Sequence, residues 1–209
     1  MAGLVPRSSN FTTGLIMQIN VGTTPGQAAE AIVDVDSFGN ALNNIPTYRA
    51  GIYDLTPAVN ATDVFTISGS ATKTIKITKL QVTADSASTA GVIDFYCFLR
   101  SVANAGGTFT TPASVKYDSN NAAPTATVKA YTANPDTLGA GQFIFGDHYA
   151  LPNAGSSGIP IFPWVEIFGG SATQPIVLRG VNQSFCFSLN GDTIPTDIEL
   201  YVSIEWTEE

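Results

Sequence analysis

Few stretches of this sequence bring together side chains that could do chemistry, and each has a plainer reading beside it. Asp34-Val35-Asp36-Ser37-Phe38-Gly39 offers the first two carboxylates and the glycine of a calcium loop. Phe38 stands where an oxygen ligand belongs and Ile45 where the closing glutamate should be, so the run reads as a hairpin turn. His148 beside Asp147 has the residue types of a base and its orienter. A triad sets its histidine through space, however, and no serine sits in a Gly-x-Ser-x-Gly elbow, so a hydrogen-bonded or exposed histidine is the expectation. One histidine and two cysteines, Cys97 and Cys186, in separate strands do not make a zinc site. No glycine run leads into Lys-Ser or Lys-Thr at a helix start, as phosphate-cradling loops require.

Glu166, Glu199 and Glu205 read as solvent-face strand residues, although the separation of a glycosidase carboxylate pair is set in space and leaves no mark in sequence. Asn10-Phe11-Thr12, Asn60-Ala61-Thr62 and Asn182-Gln183-Ser184 match the glycosylation triplet, a match that a chain rich in Asn, Ser and Thr produces by chance. Tyr117, Tyr131, Tyr149 and Trp164 lie in or near long loops, where they could stack on sugars or simply close the core. The expectation is a protein without catalytic residues, cofactor or metal, that works by binding.

Composition points the same way. Charged residues make up 12% of the 209 against 44% hydrophobic, so the surface must be largely neutral and polar. That suits a chain packed against copies of itself or other proteins better than a freely diffusing monomer. A net charge of −8 with nine Lys and Arg argues against a nucleic-acid partner, because counterion release needs clustered cations. No stretch approaches the roughly 18 apolar residues of a membrane span, and no export signal stands out at the N-terminus.

The elements that must carry any site are strands. In Asp197 to Trp206 the residues Ile198, Leu200, Val202, Ile204 and Trp206 share one face of an extended chain, and Asp197, Glu199, Tyr201, Ser203 and Glu205 share the other. Three residues follow, so no C-terminal tail or second domain is expected beyond it. From Thr47 onward further strands are expected at 48–54, 63–68, 73–83, 91–100, 127–132, 142–150, 164–168, 175–179 and 184–189. Gly, Pro, Asn, Asp and Ser clusters separate them, and no helical period lasts three turns, which predicts an all-β fold: an antiparallel β-sandwich over 47–209. Ile75 and Ile77 are out of phase with Leu80 and Val82, which predicts a β-bulge or a strand crossing near Lys79. The connection from Ser101 to Ala126 reads as a long irregular loop. Cys97 shares the face of Ile93, Phe95 and Leu99, whereas Cys186 lies opposite Phe185, Phe187 and Leu189; both read as buried thiols in a chain with too few cysteines for a disulfide scaffold.

Residues 1–46 differ. Leu15-Ile16-Met17-Gln18-Ile19 and Ala31-Ile32-Val33-Asp34-Val35 are short apolar patches between turn-forming runs, which suits an extended N-terminal arm that packs on other subunits, with a floppy leader as the alternative. The candidate interaction residues are therefore Leu15, Ile16, Ile19, Ile32 and Val33, together with Ile161, Phe162 and Trp164 in the proline-flanked run after the loop 153–158; an edge blocked by proline is the other reading of that run.

Several motifs taken together carry a resemblance. Ile67-Ser68-Gly69-Ser70-Ala71-Thr72-Lys73-Thr74-Ile75-Lys76-Ile77, Arg100-Ser101 with Ala103-Asn104-Ala105-Gly106-Gly107-Thr108, Tyr117-Asp118-Ser119-Asn120-Asn121-Ala122-Ala123, Tyr131-Thr132-Ala133-Asn134-Pro135, Val177-Leu178-Arg179-Gly180 and Ser203-Ile204-Glu205-Trp206-Thr207-Glu208 resemble a family of proteins encoded by tailed phages and prophages. The resemblance spans about residues 50 to 209. It implies a virion structural protein with an all-β, jelly-roll-like fold. The expected function is a non-enzymatic capsid decoration or accessory protein in a symmetric homo-oligomer, a trimer favoured, with other virion proteins such as the major capsid protein as partners and no nucleic acid or membrane. The alternative is a tail-fibre or receptor-binding module that recognises host surface carbohydrate; a glycan hydrolase comes third.

Overall fold

The computed structural model describes residues 45–86, 90–151, 163–170, 173–195 and 197–209. The expected arm lies outside these residues apart from Ile45 and Pro46, and the compact unit that can be described runs from Pro46 to Glu209. Among the described residues there is no helix. Twelve strands are present: β1 (Thr47–Leu55), β2 (Asp63–Ser68), β3 (Thr74–Ser86), β4 (Gly91–Arg100), β5 (Phe109–Thr110), β6 (Ser114–Lys116), β7 (Thr127–Tyr131), β8 (Gly141–Leu151), β9 (Trp164–Ile167), β10 (Ile176–Arg179), β11 (Ser184–Ser188) and β12 (Ile198–Glu208). They form two antiparallel sheets, ordered β10-β3-β12-β1-β6, with β9 also on β3, and β5-β7-β2-β11-β4-β8. Side chains from both sheets meet in one apolar cluster, so the described residues form the expected all-β sandwich.

The alternation in β12 positions that core. Ile198, Leu200, Val202, Ile204 and Trp206 are each at most 1% exposed, while Glu199 on the opposite face is open to water. The strand lies between β1 and β3 and pairs along nearly its whole length with β3. Trp206 stacks on Tyr48 of β1, centroids 5.8 Å apart, and Trp164 of β9 reaches Phe95 and Phe187 of the other sheet at 5.6 and 6.3 Å.

Bulges set which way each strand faces. Glu205 opposes Lys79 and Trp206 opposes Ile77, so Thr78 is the extra residue, and it returns the inward phase from Leu80 and Val82 to Ile75 and Ile77. The phase change anticipated near Lys79 is thus a bulge, held by the Thr78 hydroxyl donating to the Glu205 backbone oxygen at 3.3 Å. In β8, Phe143 opposes Phe98 and Phe145 opposes Cys97, so Ile144 is the extra residue. It turns Phe145 inward onto Trp164 and Phe168 while Phe143 faces out against Tyr96 and Phe98.

The connection after β4 differs from the irregular loop expected. It holds β5 and β6, which are too short for a periodicity signal, and with β7 they extend one edge of each sheet: β6 pairs with β1, and β7 with β2. Glu208 ties this excursion to the core. Its carboxylate, on a residue 3% exposed, accepts hydrogen bonds from the Thr125 and Ala126 backbone N–H groups, the Thr125 hydroxyl and the Trp206 indole N–H, at 2.7 to 3.0 Å. Glu208→Ala strands three buried or half-buried N–H donors and is expected to cost about 2–3 kcal/mol. Urea unfolding measures that cost, and hydrogen exchange should show Thr125 and Ala126 losing protection before the β12 amides do.

Candidate functional site

The outward face of the first sheet carries a groove of about 810 Å3. Register places its parts. Gly51 of β1 opposes Ser203 of β12, which opposes Gln81 of β3; one step along, Arg49 opposes Glu205, and one step the other way Tyr201 opposes Thr83. Gly51 and Ser203 make a low floor, so close that a Cβ built on Gly51 would lie 3.0 Å from the Ser203 Cβ. Tyr53 and Tyr201 rise at one end, edge to face with centroids 6.0 Å apart, and Tyr117 stands at the other. Tyr53 is 80% exposed and Tyr117 55%.

The polar lining is partly committed. Arg49 Nη2 donates to the Ser203 hydroxyl at 2.8 Å, and the Tyr117 hydroxyl donates to Glu205 Oε2 at 2.5 Å. A bulge in β1 sets two residues, Tyr53 and Asp54, against Tyr201, and Asp54 takes the left-handed conformation with φ 55°. A hydrogen bond to Asp54, followed by burial, pushes the Tyr201 phenol up to about 12. Burial and the Asp54 charge likewise raise the Asp85 carboxyl above its ordinary range.

On the other sheet the prominent feature is β8. It is the outermost strand, eleven residues long, and among the described residues no strand pairs with its outer side. Phe143 is 57% exposed and Ile144 39%. The Asp94 carboxylate holds the His148 Nδ1, and the Tyr96 hydroxyl donates to Asp94 Oδ2 at 3.2 Å. His148 thus sits in an exposed edge strand, hydrogen-bonded across to β4.

The outer face of the second sheet also hides a charge pair. Arg100 grips Asp63 with Nε at 2.5 Å and Nη2 at 2.7 Å, while its Nη1 donates to the Gly139 carbonyl at 2.7 Å. Asn104 donates to Asp63 at 2.6 Å and accepts from the Gly139 N–H, so the pair clamps both ends of the excursion to the sheet. Burial alone would lower the guanidinium, but the hydrogen bonds and charge of Asp63 hold it above its ordinary value. Each side-chain nitrogen of Arg100 has an acceptor, and the geometry is that of a structural clamp.

Of the candidate interaction residues, Leu15, Ile16, Ile19, Ile32, Val33, Ile161 and Phe162 lie outside the described residues. Trp164 is described, and its ring packs against Phe95, Phe145 and Phe187, so it closes the core. Tyr131 and Tyr149 are likewise buried, at 2% and 8% exposure, which leaves Tyr117 as the one of the four loop aromatics whose ring faces solvent. Cys97 and Cys186 are both free and buried; neighbouring strands turn them to opposite faces of the sheet, and burial raises both thiols above their usual range. Among the described residues no group of three His, Cys, Asp or Glu side chains is placed to hold a metal ion. Tyr201 was legible only as an outward position of its strand, and Tyr53 only as a residue within the strand expected at 48–54.

No known family, curated protein or solved structure matches this chain.

Proposed function

We propose that this chain is a non-enzymatic structural protein of a phage particle, a capsid decoration or accessory protein in a symmetric oligomer, trimer favoured, that attaches by packing and strand addition. The length and exposed apolar side chains of β8, the outermost strand of its sheet among the described residues, carry this reading. Natural sheets blunt their edges by shortness, proline or charge. The other outer strands here, β5, β6, β9 and β10, have two to four residues each, whereas β8 has eleven, lacks proline and shows Phe143 and Ile144 to water. A strand laid along the outer side of β8 would cover Phe143 and Ile144. The occupant proposed is the arm, residues 1–46 of a neighbouring copy, with its apolar runs at Leu15 to Ile19 and Ala31 to Val35.

The fold that goes with this reading is a jelly roll. It is supported by strand order once β9 and β10, which pair in succession along β3, are counted as one interrupted strand and β5 to β7 are set aside as the excursion. Numbered one to eight, the remaining strands then run 1-8-3-6 in one sheet and 2-7-4-5 in the other. Jelly rolls serve viral shells and lectins alike, so the order supports the class of protein and leaves the surfaces to decide the role.

Sedimentation of the full chain at micromolar concentration should give an oligomer. Removing residues 1–44, or introducing Phe143→Lys or Ile144→Lys, should weaken association by roughly tenfold or more while far-UV circular dichroism stays unchanged. A monomeric full-length chain, together with purified particles that lack it, would sink the proposal. The second reading, a receptor-binding module for host carbohydrate, draws on the tyrosine-walled groove.

A further inference from the structure

We infer that the groove on the first sheet is a binding site for a neutral oligosaccharide, with Tyr53 and Tyr201 as its stacking platform and Gln81, Thr83 and Ser203 as its hydroxyl-reading floor. The inference concerns a different face from the β8 edge and stands whether or not the assembly reading does. Its volume of about 810 Å3 falls within the range of roughly 300–1,000 Å3 for small-molecule sites.

Three observations select the ligand class. Exposed phenol rings offer flat apolar surface, yet Tyr53 at 80% exposure buries almost none of its own, an unusual use of a large side chain on a strand. The C–H face of a pyranose fits such a ring. Beside the rings, Gln81 and Thr83 of β3 and Ser203 of β12 present donors and acceptors on one face of two paired strands, a pattern suited to ring hydroxyls. The lining carries one cation and one carboxylate, Arg49 and Asp85, against a net charge of −8 for the chain. A polyanion would meet a single guanidinium already bonded to Ser203, surrounded by an acidic protein.

A peptide fits less well. The backbone groups under the groove are spent within the sheet, so an extended peptide lying on its face would bury its own N–H and C=O groups without partners. A saccharide brings hydroxyls that side chains can satisfy. The absence of a Cβ at Gly51 then has a use: any larger residue there would raise the floor between the two aromatic ends.

The test is calorimetric titration of the full chain with chitohexaose, maltohexaose, cellohexaose and a galactan oligosaccharide, with a heparin oligosaccharide as the anionic arm. At least one neutral probe should bind, and Tyr53→Ala and Gln81→Ala should each weaken it by roughly five- to tenfold. Tyr53 is solvent-exposed, so its replacement should leave the unfolding curve in place; Phe143→Lys, on the other sheet, should leave the affinity unchanged. Failure of all neutral probes, preference for heparin, or binding that survives both groove substitutions would overturn the inference. None of these outcomes depends on the oligomeric state, so the site and the β8 interface succeed or fail separately.

Discussion

Asp63→Ala should destabilise the domain by about 3–5 kcal/mol, because it leaves the Arg100 guanidinium buried without its counter-charge. Arg100 is 7% exposed and Asp63 fully buried, so water cannot take the missing partner's place without opening the site. The loss extends beyond the pair: Asn104 gives up a 2.6 Å acceptor, and with it the hold on the Gly139 N–H loosens. For a domain of this size, a loss of that order lowers Tm by roughly 10 °C, and thermal unfolding followed by circular dichroism measures it. The double variant Asp63→Leu/Arg100→Met separates an unpaired charge from lost packing. Replacing both ions removes the desolvation cost as well as the attraction, and should recover stability to within about 1–2 kcal/mol of the parent. A double variant as unstable as Asp63→Ala would mean that the pair's value lies in the Asn104 and Gly139 contacts.

Trp206→Ala is expected to cost about 4–5 kcal/mol, the upper end for an aromatic truncated in a core. The ring is fully buried, stacks on Tyr48 and lies in the central strand of its sheet, where surrounding backbone has little freedom to collapse. Its indole N–H also donates to Glu208 at 3.0 Å. Trp206→Phe keeps most of the apolar volume and drops that bond, so about 1–2 kcal/mol is expected. Urea denaturation of both variants tests the partition. Against a total of about 5–15 kcal/mol for a typical domain, either Asp63→Ala or Trp206→Ala leaves little margin, and the two together should not fold.

The strands were legible because their signal is local. Alternation in β12 fixed its inward face, and the phase change between Ile77 and Leu80 located a bulge within one residue of where it lies, at Thr78. What pairs across long sequence separation left no such trace. Glu208 reaches back to Thr125, and Asp63 meets Arg100. In sequence each reads as an ordinary polar residue at a strand end, because burial of a charge depends on what folds over it. The strands β5 and β6 escaped for another reason: two or three residues cannot display a period. The groove was hidden in the polar face of β12. Tyr201 and Ser203 looked like solvent positions, and they become a site only where the bulge at Asp54 brings Tyr53 beside Tyr201 and where Gly51 lies opposite Ser203.

The place of β12 also governs when the fold can exist. The strands β1 and β3 flank it and pair with it rather than with each other, so the first sheet stays in two halves until residues 198–208 arrive. A nascent chain on the ribosome must therefore hold both halves apart, exposing their greasy faces to other emerging chains, until residues 198–208 clear the exit tunnel. Copies lacking residues 198–208 should therefore be insoluble and fall to proteases, so that this one segment acts as the checkpoint for assembly.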